Sequence, residues 1–277
     1  MESHQANDHT IDVFFIGVGK CGTSWIYKHL SRRGDVGVPK IKEPYILNQP
    51  VERRPQMIRD LYDDRRPRCD FSNVYYWDSS IPQKIAEHNP DAKIVLTVRK
   101  PSKRVSSHFA FLQRNGDFVD MDLLEYLDSG DQEELIGRSD YQKIYDRYTN
   151  VFPRDQVLVL PLELLSADVQ EYASRLAAFL GIPEREVNES DSEKVLGRSS
   201  ARLPLLSRSA KQLAELLRAR GHLKLLSSLK ESMLVRKLLF RRSSTDPSDE
   251  ITSEQLPAEL RRLDDSYGAF VAQMTDS

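Results

Sequence analysis

The chain has 277 residues, of which 39% are hydrophobic and 30% charged, and its formal net charge is −2. This composition is typical of a soluble globular protein, and the length suits one large α/β domain or two small ones. The balanced charge argues against a dedicated nucleic-acid binder, which usually has a strong basic excess. No run of 18 apolar residues occurs, so the sequence predicts no transmembrane segment.

Three apolar runs, each followed by a helical pattern, define the predicted fold. The strands are predicted at residues 12–18, 92–98 and 156–160, and the helices after them at residues 23–33, 101–114 and 166–180. Ser166 is the expected N-cap of the last of these helices, and Gly181 with Pro183 is expected to end it. Alternating strands and helices predict an α/β protein with a P-loop-type parallel sheet flanked by helices.

The remaining segments complete the predicted organisation as a single domain over residues 1–277. We expect a flexible N-terminus over residues 1–10 and a helical C-terminal cap within residues 203–277. The polar stretches at residues 40–70, 116–138 and 184–203 are predicted to be rich in loops. Residues 203–240 are predicted to be helical, residues 241–249 a linker, and residues 254–274 an amphipathic helix.

The N-terminus and the cysteines suggest a compartment. Residues 1–10 are polar and lack the apolar core of a signal peptide, so the cytoplasm is the expected location. Cys21 and Cys69 are expected to be reduced thiols, because a disulfide at Cys21 would restrain a glycine-rich loop.

That glycine-rich segment, residues 17–24, lies between the first predicted strand and helix. Its glycines let the backbone approach a ligand, and the helix N-terminus adds N–H groups and the positive end of the helix dipole. Lys20 adds a cation, and Thr23 and Ser24 add hydroxyl groups. The pattern predicts an anion site, with a glycine-rich turn that binds nothing as the alternative.

The segment differs from the loop of a nucleoside-triphosphate enzyme. That loop needs Gly, Lys and Ser or Thr in succession, whereas Lys20 comes two residues before Gly22. The second strand runs into Arg99, where a magnesium-dependent enzyme needs a metal-binding Asp. An arginine cannot hold magnesium but can bind a phosphate. The two features predict a metal-free site for an anionic nucleotide. Ser107 could converge with Arg99 on one phosphate, or be a buried helix hydroxyl.

Residues 17–30, the run from Lys42 through Glu43 and Pro44 to Tyr45, and residues 94–109 together resemble the sulfotransferase family. The similarity is to the branch of bacterial sulfotransferases and the heparan sulfate N- and 3-O-sulfotransferase domains, and it covers most of residues 11–204. It implies transfer of a sulfuryl group from 3′-phosphoadenylyl sulfate (PAPS) to an acceptor, with PAP as product and without a metal. The acceptor would be a hydroxyl or amine of a carbohydrate, lipid or small molecule. A P-loop nucleotide kinase or NTPase and a non-catalytic nucleotide-binding protein are the alternatives.

The resemblance also implies roles for individual residues. The residues implied to bind the 5′-phosphosulfate are Lys20, Cys21, Gly22, Thr23, Ser24 and Trp25. Arg99 and Ser107 are implied to hold the 3′-phosphate, over which a later loop with Arg198, Ser199 and Arg202 would close. Tyr141 resembles a residue that lines the nucleotide, with a packed aromatic as the alternative.

The resemblance implies that two side chains carry out catalysis. Lys20 is implied to stabilise the leaving oxygen, and Glu43 to take the proton of the acceptor. Lys42, Asp70 and His108 are candidates for acceptor binding, and His108 is also a rival base. The family often has His and Phe where this chain has Tyr45 and Ile46. The contacts to the acceptor are therefore left open.

The C-terminal part has an uneven distribution of charge. Residues 203–242 contain ten Lys or Arg and two acidic residues, whereas residues 243–277 contain two and eight. The leucine-rich basic segment predicts packed helices with a solvated basic side. The alternative is a surface for an anionic or carrier-bound acceptor, or for a membrane.

Overall fold

The structure is a computed structural model that describes residues 9–114, 117–118, 121–129, 132–187, 199–201, 240–242 and 253–275. The chain divides into two compact units. The first comprises residues 1–99, 140–192 and 266–277, and the second comprises residues 100–139 and 193–265. The expectation of a single domain over residues 1–277 stays a prediction.

In the first unit, the described residues form a four-stranded parallel sheet. Its strands are β1 (Val13–Gly17), β2 (Cys69–Asp70), β3 (Lys93–Val98) and β4 (Val157–Pro161), in the spatial order β2-β1-β3-β4. In β1 and β3 every residue except Lys93 is buried, as expected for parallel strands covered on both faces. The three predicted strands are confirmed to within one residue at each end. β2 was not predicted, because two residues carry no periodic pattern.

Helices lie between and after these strands along the chain. In chain order they are α1 (Thr23–Ser31), α2 (Arg54–Leu61), α3 (Ile81–His88), α4 (Pro101–Arg114), α5 (Leu123–Asp128), α6 (Gln132–Gly137), α7 (Tyr141–Thr149), α8 (Leu162–Ala167), α9 (Val169–Leu180) and α10 (Ala258–Thr275). The predicted α/β class, a parallel sheet flanked by helices with a helix at the C-terminal end, is confirmed. Since β1 and β3 are parallel neighbours, the residues that follow them emerge at the same edge of the sheet.

The helix predicted from Ser166 to Leu180 is two helices. Asp168 separates α8 from α9, and its side chain accepts the N–H of Glu171 over 2.9 Å as the N-cap of α9. The predicted N-cap at Ser166 was therefore wrong, because its hydroxyl donates to the Leu162 carbonyl inside α8. The predicted end is confirmed at Gly181, which has a φ of 72°.

Two stretches predicted to be rich in loops contain helices. Within residues 40–70 lies α2, which starts beside a proline, and within residues 116–138 lie α5 and α6. A reciprocal capping box between Asp122 and Glu125 starts α5. Short helices of this kind were missed because their apolar positions are too few to establish a period.

The second unit has a core of its own, formed by side chains from α4, α5, α6 and the start of α10. Its buried residues are Val105, Phe109, Leu123, Tyr126, Leu127, Leu135, Ile136, Leu256, Leu260 and Leu263. The predicted helix after β3 is confirmed as α4, with Pro101 at its first position. The predicted amphipathic helix at the C-terminus is confirmed as α10, which starts at Ala258 rather than at residue 254.

The prediction of a helix through residue 240 and a linker from residue 241 was wrong at the residues that the structure describes. Phe240–Arg242 form β6, which pairs antiparallel with β5 (Ser199–Ala201), with Ser199 opposite Arg242. Pairing with a distant strand overrode the local helical pattern. The rest of the basic segment, residues 203–239, lies outside the described residues. None of the helices in the described part of the chain has the length and apolar character needed to cross a bilayer.

Candidate active site

The glycine loop, defined as residues 17–24, begins where β1 ends and is fixed to β3. The Val18 N–H donates to the Thr97 carbonyl over 2.9 Å, and the Thr97 hydroxyl donates to the Gly17 carbonyl, also over 2.9 Å. Thr97 is fully buried, so water does not compete for these bonds. Gly17 has a φ of 124°, and a Cβ there would lie 2.6 Å from Cδ1 of Tyr76. Only glycine fits at this end of the loop.

The middle of the glycine loop turns through two left-handed residues, Lys20 with a φ of 75° and Gly22 with a φ of 95°. Such turns direct successive backbone N–H groups toward one point. Gly22 is the N-cap of α1 and has no side chain to cap it, so the helix N-terminus adds to the positive potential. A Cβ placed on Gly19 would meet only Nδ2 of Asn73, at 3.8 Å. The loop therefore has the backbone and the space to take an anion.

Lys42 brings an ammonium group to the hydroxyls at the start of α1. Its Nζ donates to Oγ1 of Thr23 over 3.2 Å and to Oγ of Ser24 over 3.0 Å. The same Nζ lies 3.4 Å from Oε1 of Glu43. One cation thus joins the glycine loop to the predicted base, two features that lie about twenty residues apart in the sequence.

The Glu43 carboxylate is held at both oxygens. Oε1 faces Lys42, and Oε2 accepts the hydroxyl of Tyr45 over 3.0 Å. Glu43 has a φ of 64° and Tyr45 a φ of 52°, left-handed values that cost energy for residues other than glycine. Backbone of this kind persists only where the surroundings fix it, and it is common at functional sites. The sequence did not reveal the role of Tyr45, because nothing local shows that its hydroxyl reaches back to Glu43.

Asp70 supports the Glu43 segment from the interior. Asp70 is fully buried on β2, and its Oδ1 accepts the N–H of Ser72 over 2.9 Å. The Ser72 hydroxyl oxygen in turn accepts the N–H of Tyr45 over 3.0 Å. Burial raises the pKa of Asp70 to about 7, although the hydrogen bonds from Ser72 act in the opposite direction. Oδ2 of Asp70 has no hydrogen-bond partner among the described residues. Its direct contact with an acceptor stays a prediction.

Tyr141 connects the glycine loop to the end of β3. Its hydroxyl donates to the Arg99 carbonyl over 2.7 Å and lies 4.0 Å from Sγ of Cys21, which is buried. The Asp140 side chain caps α7 just before Tyr141. The packed-aromatic alternative describes this side chain, and its contact with a nucleotide stays a prediction.

Trp25 lies in the core, below the glycine loop. Its indole stacks on His29 with ring centroids 4.8 Å apart, and its edge meets Tyr172 at 5.6 Å. The backbone N–H of Trp25 donates to the Gly22 carbonyl over 2.9 Å. This packing fixes the first turn of α1. Trp25 therefore stabilises the start of the helix that follows the glycine loop.

Aromatic residues of α10 pack against Tyr141. The ring centroid of Tyr267 lies 5.9 Å from that of Tyr141, and the centroid of Phe270 lies 6.3 Å away. The Tyr267 hydroxyl donates to Oε2 of Glu163 over 2.7 Å, and burial together with this bond raises the pKa of Tyr267. Sequence patterns did not indicate this contribution, because they predicted only an amphipathic helix here.

Two further predicted residues lie in the second unit, on α4. Ser107 and His108 are both half-buried, and Nδ1 of His108 lies 3.4 Å from Nη1 of Arg104. The hydroxyl that bonds back to the helix is that of the neighbouring Ser106, which donates to the Ser102 carbonyl over 2.9 Å. The roles of Ser107 and His108 stay predictions.

The loop predicted to close over the 3′-phosphate lies mostly outside the described residues. Arg198 and Arg202 are not among them, and Ser199 begins β5. In the part of the chain that the structure describes, no cluster of three or more His, Cys, Asp or Glu side chains could hold a metal ion.

Comparison with known families identifies the class of protein that this fold and loop define. The model of the family described as "Sulfotransferase domain" matches residues 10–201. The chain therefore belongs to the sulfotransferase family and is an enzyme of sulfuryl transfer. No curated protein sequence matched the chain.

Three solved sulfotransferase structures are among those similar to this chain, and the first of them supports the fold. A sulfotransferase from Alicyclobacillus acidocaldarius is 22% identical, with a TM-score of 0.55 over 67% of this chain and 89% of that one. The sulfotransferase domain of the Synechococcus PCC 7002 olefin synthase is 15% identical, with a TM-score of 0.47 over 69% and 80%. Mouse sulfotransferase SULT7A1, solved in complex with PAP, is 20% identical, with a TM-score of 0.43 over 67% and 62%.

Proposed function

We propose that this enzyme transfers a sulfuryl group from PAPS to a hydroxyl or amine of a carbohydrate, lipid or small-molecule acceptor. The observation that carries the proposal is the single ammonium of Lys42, which contacts both the glycine-loop hydroxyls and the Glu43 carboxylate. The glycine loop can bind an anion, and the Glu43 carboxylate beside it can accept a proton. This combination suits transfer of an anionic group to an acceptor that must lose a proton.

The donor would occupy the glycine loop and the edge of the sheet beside it. The uncapped start of α1 and Lys20 would bind the 5′-phosphosulfate, helped by the hydroxyls of Thr23 and Ser24. Arg99 emerges at the same edge of the sheet and would bind the 3′-phosphate. The space beside Gly19 supports this assignment. When bound, PAPS supplies the sulfuryl group and leaves as PAP.

Glu43 would act as the general base. As the acceptor oxygen or nitrogen bonds to sulfur, its proton passes to the Glu43 carboxylate, and the bridging oxygen leaves with the phosphate of PAP. Lys20 would stabilise the negative charge that develops on that oxygen. The hydrogen bond from the Tyr45 hydroxyl orients the carboxylate and leaves its other oxygen toward Lys42.

The alternatives fit the residues less well. In a kinase, Lys20 would adjoin the hydroxyl residue and an acidic side chain would end β3, where this chain has Arg99. A non-catalytic nucleotide-binding protein would have no use for two left-handed residues that hold a carboxylate against the loop.

The proposal is tested by PAP release. The enzyme is incubated with PAPS and a panel of sugar, lipid and small-molecule acceptors, and PAP and sulfated product are measured by mass spectrometry. We expect both to form with at least one acceptor class, and neither to form with Lys20→Met. Transfer of a phosphoryl group from ATP–magnesium to the same panel, without PAP formation from PAPS, would overturn the proposal.

A further inference from the structure

Lys42 contacts one carboxylate and two hydroxyl groups at the same time. Its Nζ lies 3.0 Å from the Ser24 hydroxyl and 3.2 Å from the Thr23 hydroxyl, but 3.4 Å from the Glu43 carboxylate. A charge-assisted bond between ammonium and carboxylate is usually about 2.7–2.9 Å long. The cation therefore lies between the two hydroxyls and the carboxylate and contacts all three.

These three contacts span the path along which the transferred group would move. In an in-line displacement, the entering atom, the sulfur and the leaving oxygen follow one another in that order. Thr23 and Ser24 belong to the donor side of the site, and Glu43 belongs to the acceptor side. The Lys42 ammonium contacts both sides, so it lies next to the position that the sulfuryl group would occupy during transfer.

The contacts of Lys42 with the Thr23 and Ser24 hydroxyls are compatible with binding of the sulfuryl group. A serine or threonine hydroxyl can accept from Lys42 and donate its own hydrogen to a ligand at the same time. An anionic group that entered beside Thr23 and Ser24 would meet their hydroxyl hydrogens and the ammonium together. The Lys42 side chain is 20% exposed, so a ligand can reach it without unfolding of the loop.

We propose that Lys42 contacts the sulfuryl oxygens of the donor and is the residue by which the enzyme distinguishes PAPS from PAP. This inference rests on the proposed function. PAP carries both phosphates of PAPS but lacks the sulfuryl group, so a residue that contacts only that group affects PAPS alone. Lys42 is in this sense a catalytic residue, because the same contact stabilises charge on the sulfuryl oxygens during transfer.

The chain offers a matched control for this lysine. Lys40, two residues earlier, is exposed, and its Nζ donates to the Asp60 carbonyl over 2.9 Å, away from the glycine loop. Replacing Lys40 or Lys42 by methionine removes the same charge from the same segment. A difference between the two variants therefore reports on position rather than on net charge.

The test compares the dissociation constants of PAPS and PAP, measured by calorimetry without an acceptor, for the wild type and the variants. We expect Lys42→Met to weaken PAPS binding by about tenfold or more and to leave PAP binding within about twofold. We expect Lys40→Met to change neither constant, and Lys42→Arg, which keeps the charge, to retain a preference for PAPS.

Equal effects of Lys42→Met on PAPS and PAP, or no effect on either, would overturn the inference while PAP binding by the wild type still supported the proposed function. If Lys42→Met failed to fold, Lys42→Gln would be measured in its place, with the same expectation. A wild-type protein that bound neither nucleotide would overturn the proposed function itself.

Discussion

The Tyr141 hydroxyl donates a hydrogen bond of 2.7 Å to the Arg99 carbonyl, and this bond joins the start of α7 to the end of β3. The same hydroxyl lies 4.0 Å from Sγ of Cys21 in the glycine loop. One buried phenol thus contacts both segments of the first unit that we assign to nucleotide binding.

This relationship predicts the effect of Tyr141→Phe, which keeps the ring but removes the hydroxyl. The Arg99 carbonyl loses a buried donor, so the free energy of unfolding should fall by about 1–2 kcal/mol. PAP binding should weaken as the Arg99 backbone loosens. Urea unfolding and calorimetry measure the two effects, and Tyr145→Phe, in the same helix, serves as the control for PAP affinity. Unchanged stability and affinity in Tyr141→Phe would contradict the positioning role.

Arg99 should be responsible for recognition of the 3′-phosphate. The wild type should bind PAP more tightly than AMP, which lacks that phosphate, and Arg99→Ala should lose about tenfold or more of PAP affinity. AMP affinity should stay unchanged in the variant. The adjacent Lys100, whose side chain is half-exposed and lies 3.6 Å from Asp264, gives the matched control Lys100→Ala. A variant that still prefers PAP over AMP as strongly as the wild type would refute the assignment of Arg99.

Glu43→Gln should remove the general base without disturbing the donor site. The amide keeps an oxygen for the Tyr45 hydroxyl but cannot take a proton, so we expect kcat to fall by about 10²–10⁴-fold. PAP affinity should stay within about twofold, because Glu43 lies on the acceptor side. Glu52→Gln, an exposed residue of the same segment, controls for loss of charge. A Glu43→Gln enzyme with full kcat would transfer the role of base to another residue, with His108 next to be tested.

The buried Asp70 predicts a pH dependence of stability. Burial raises its pKa in the folded protein from the ordinary 3.8 to about 7. The folded state therefore keeps a proton that the unfolded chain releases, so the contribution of Asp70 to stability is present below the unfolded pKa and is lost as the pH rises toward 7. Asp70→Asn cannot ionise, yet it keeps an oxygen for the Ser72 N–H.

We therefore expect the wild type, relative to Asp70→Asn, to lose free energy of unfolding between about pH 4 and pH 7 and to level off above that. Urea unfolding across this range measures the difference between the two proteins, so other titrating groups cancel. A difference that did not vary with pH would show that Asp70 has an ordinary pKa.

The structure of the glycine loop could be predicted from the sequence because it depends on contiguous residues. An apolar run, a glycine-rich segment and a helical pattern follow one another from residue 12 to residue 33, and each limits the structure of the next. The position of Arg99 was predicted for the same reason, since a buried strand ends directly before it. Local pattern is sufficient where strand, loop and helix are consecutive.

The acceptor side depends on contacts between residues that no local pattern links. Lys42 reaches Ser24, and the Tyr45 N–H reaches the Ser72 hydroxyl across 27 positions of sequence. These contacts follow from sheet order and from a strand of only two residues, β2, so sequence patterns could name Glu43 but not what holds it.

The central claim, a metal-free site for PAPS, is tested most directly by thermal unfolding of the wild type with PAP and with ATP–magnesium. A ligand that binds only the folded state raises the melting temperature, by an amount that increases with its affinity and concentration. We predict that PAP raises the melting temperature without added metal and that ATP–magnesium at the same concentration leaves it unchanged. Stabilisation by ATP–magnesium with no response to PAP would contradict the account.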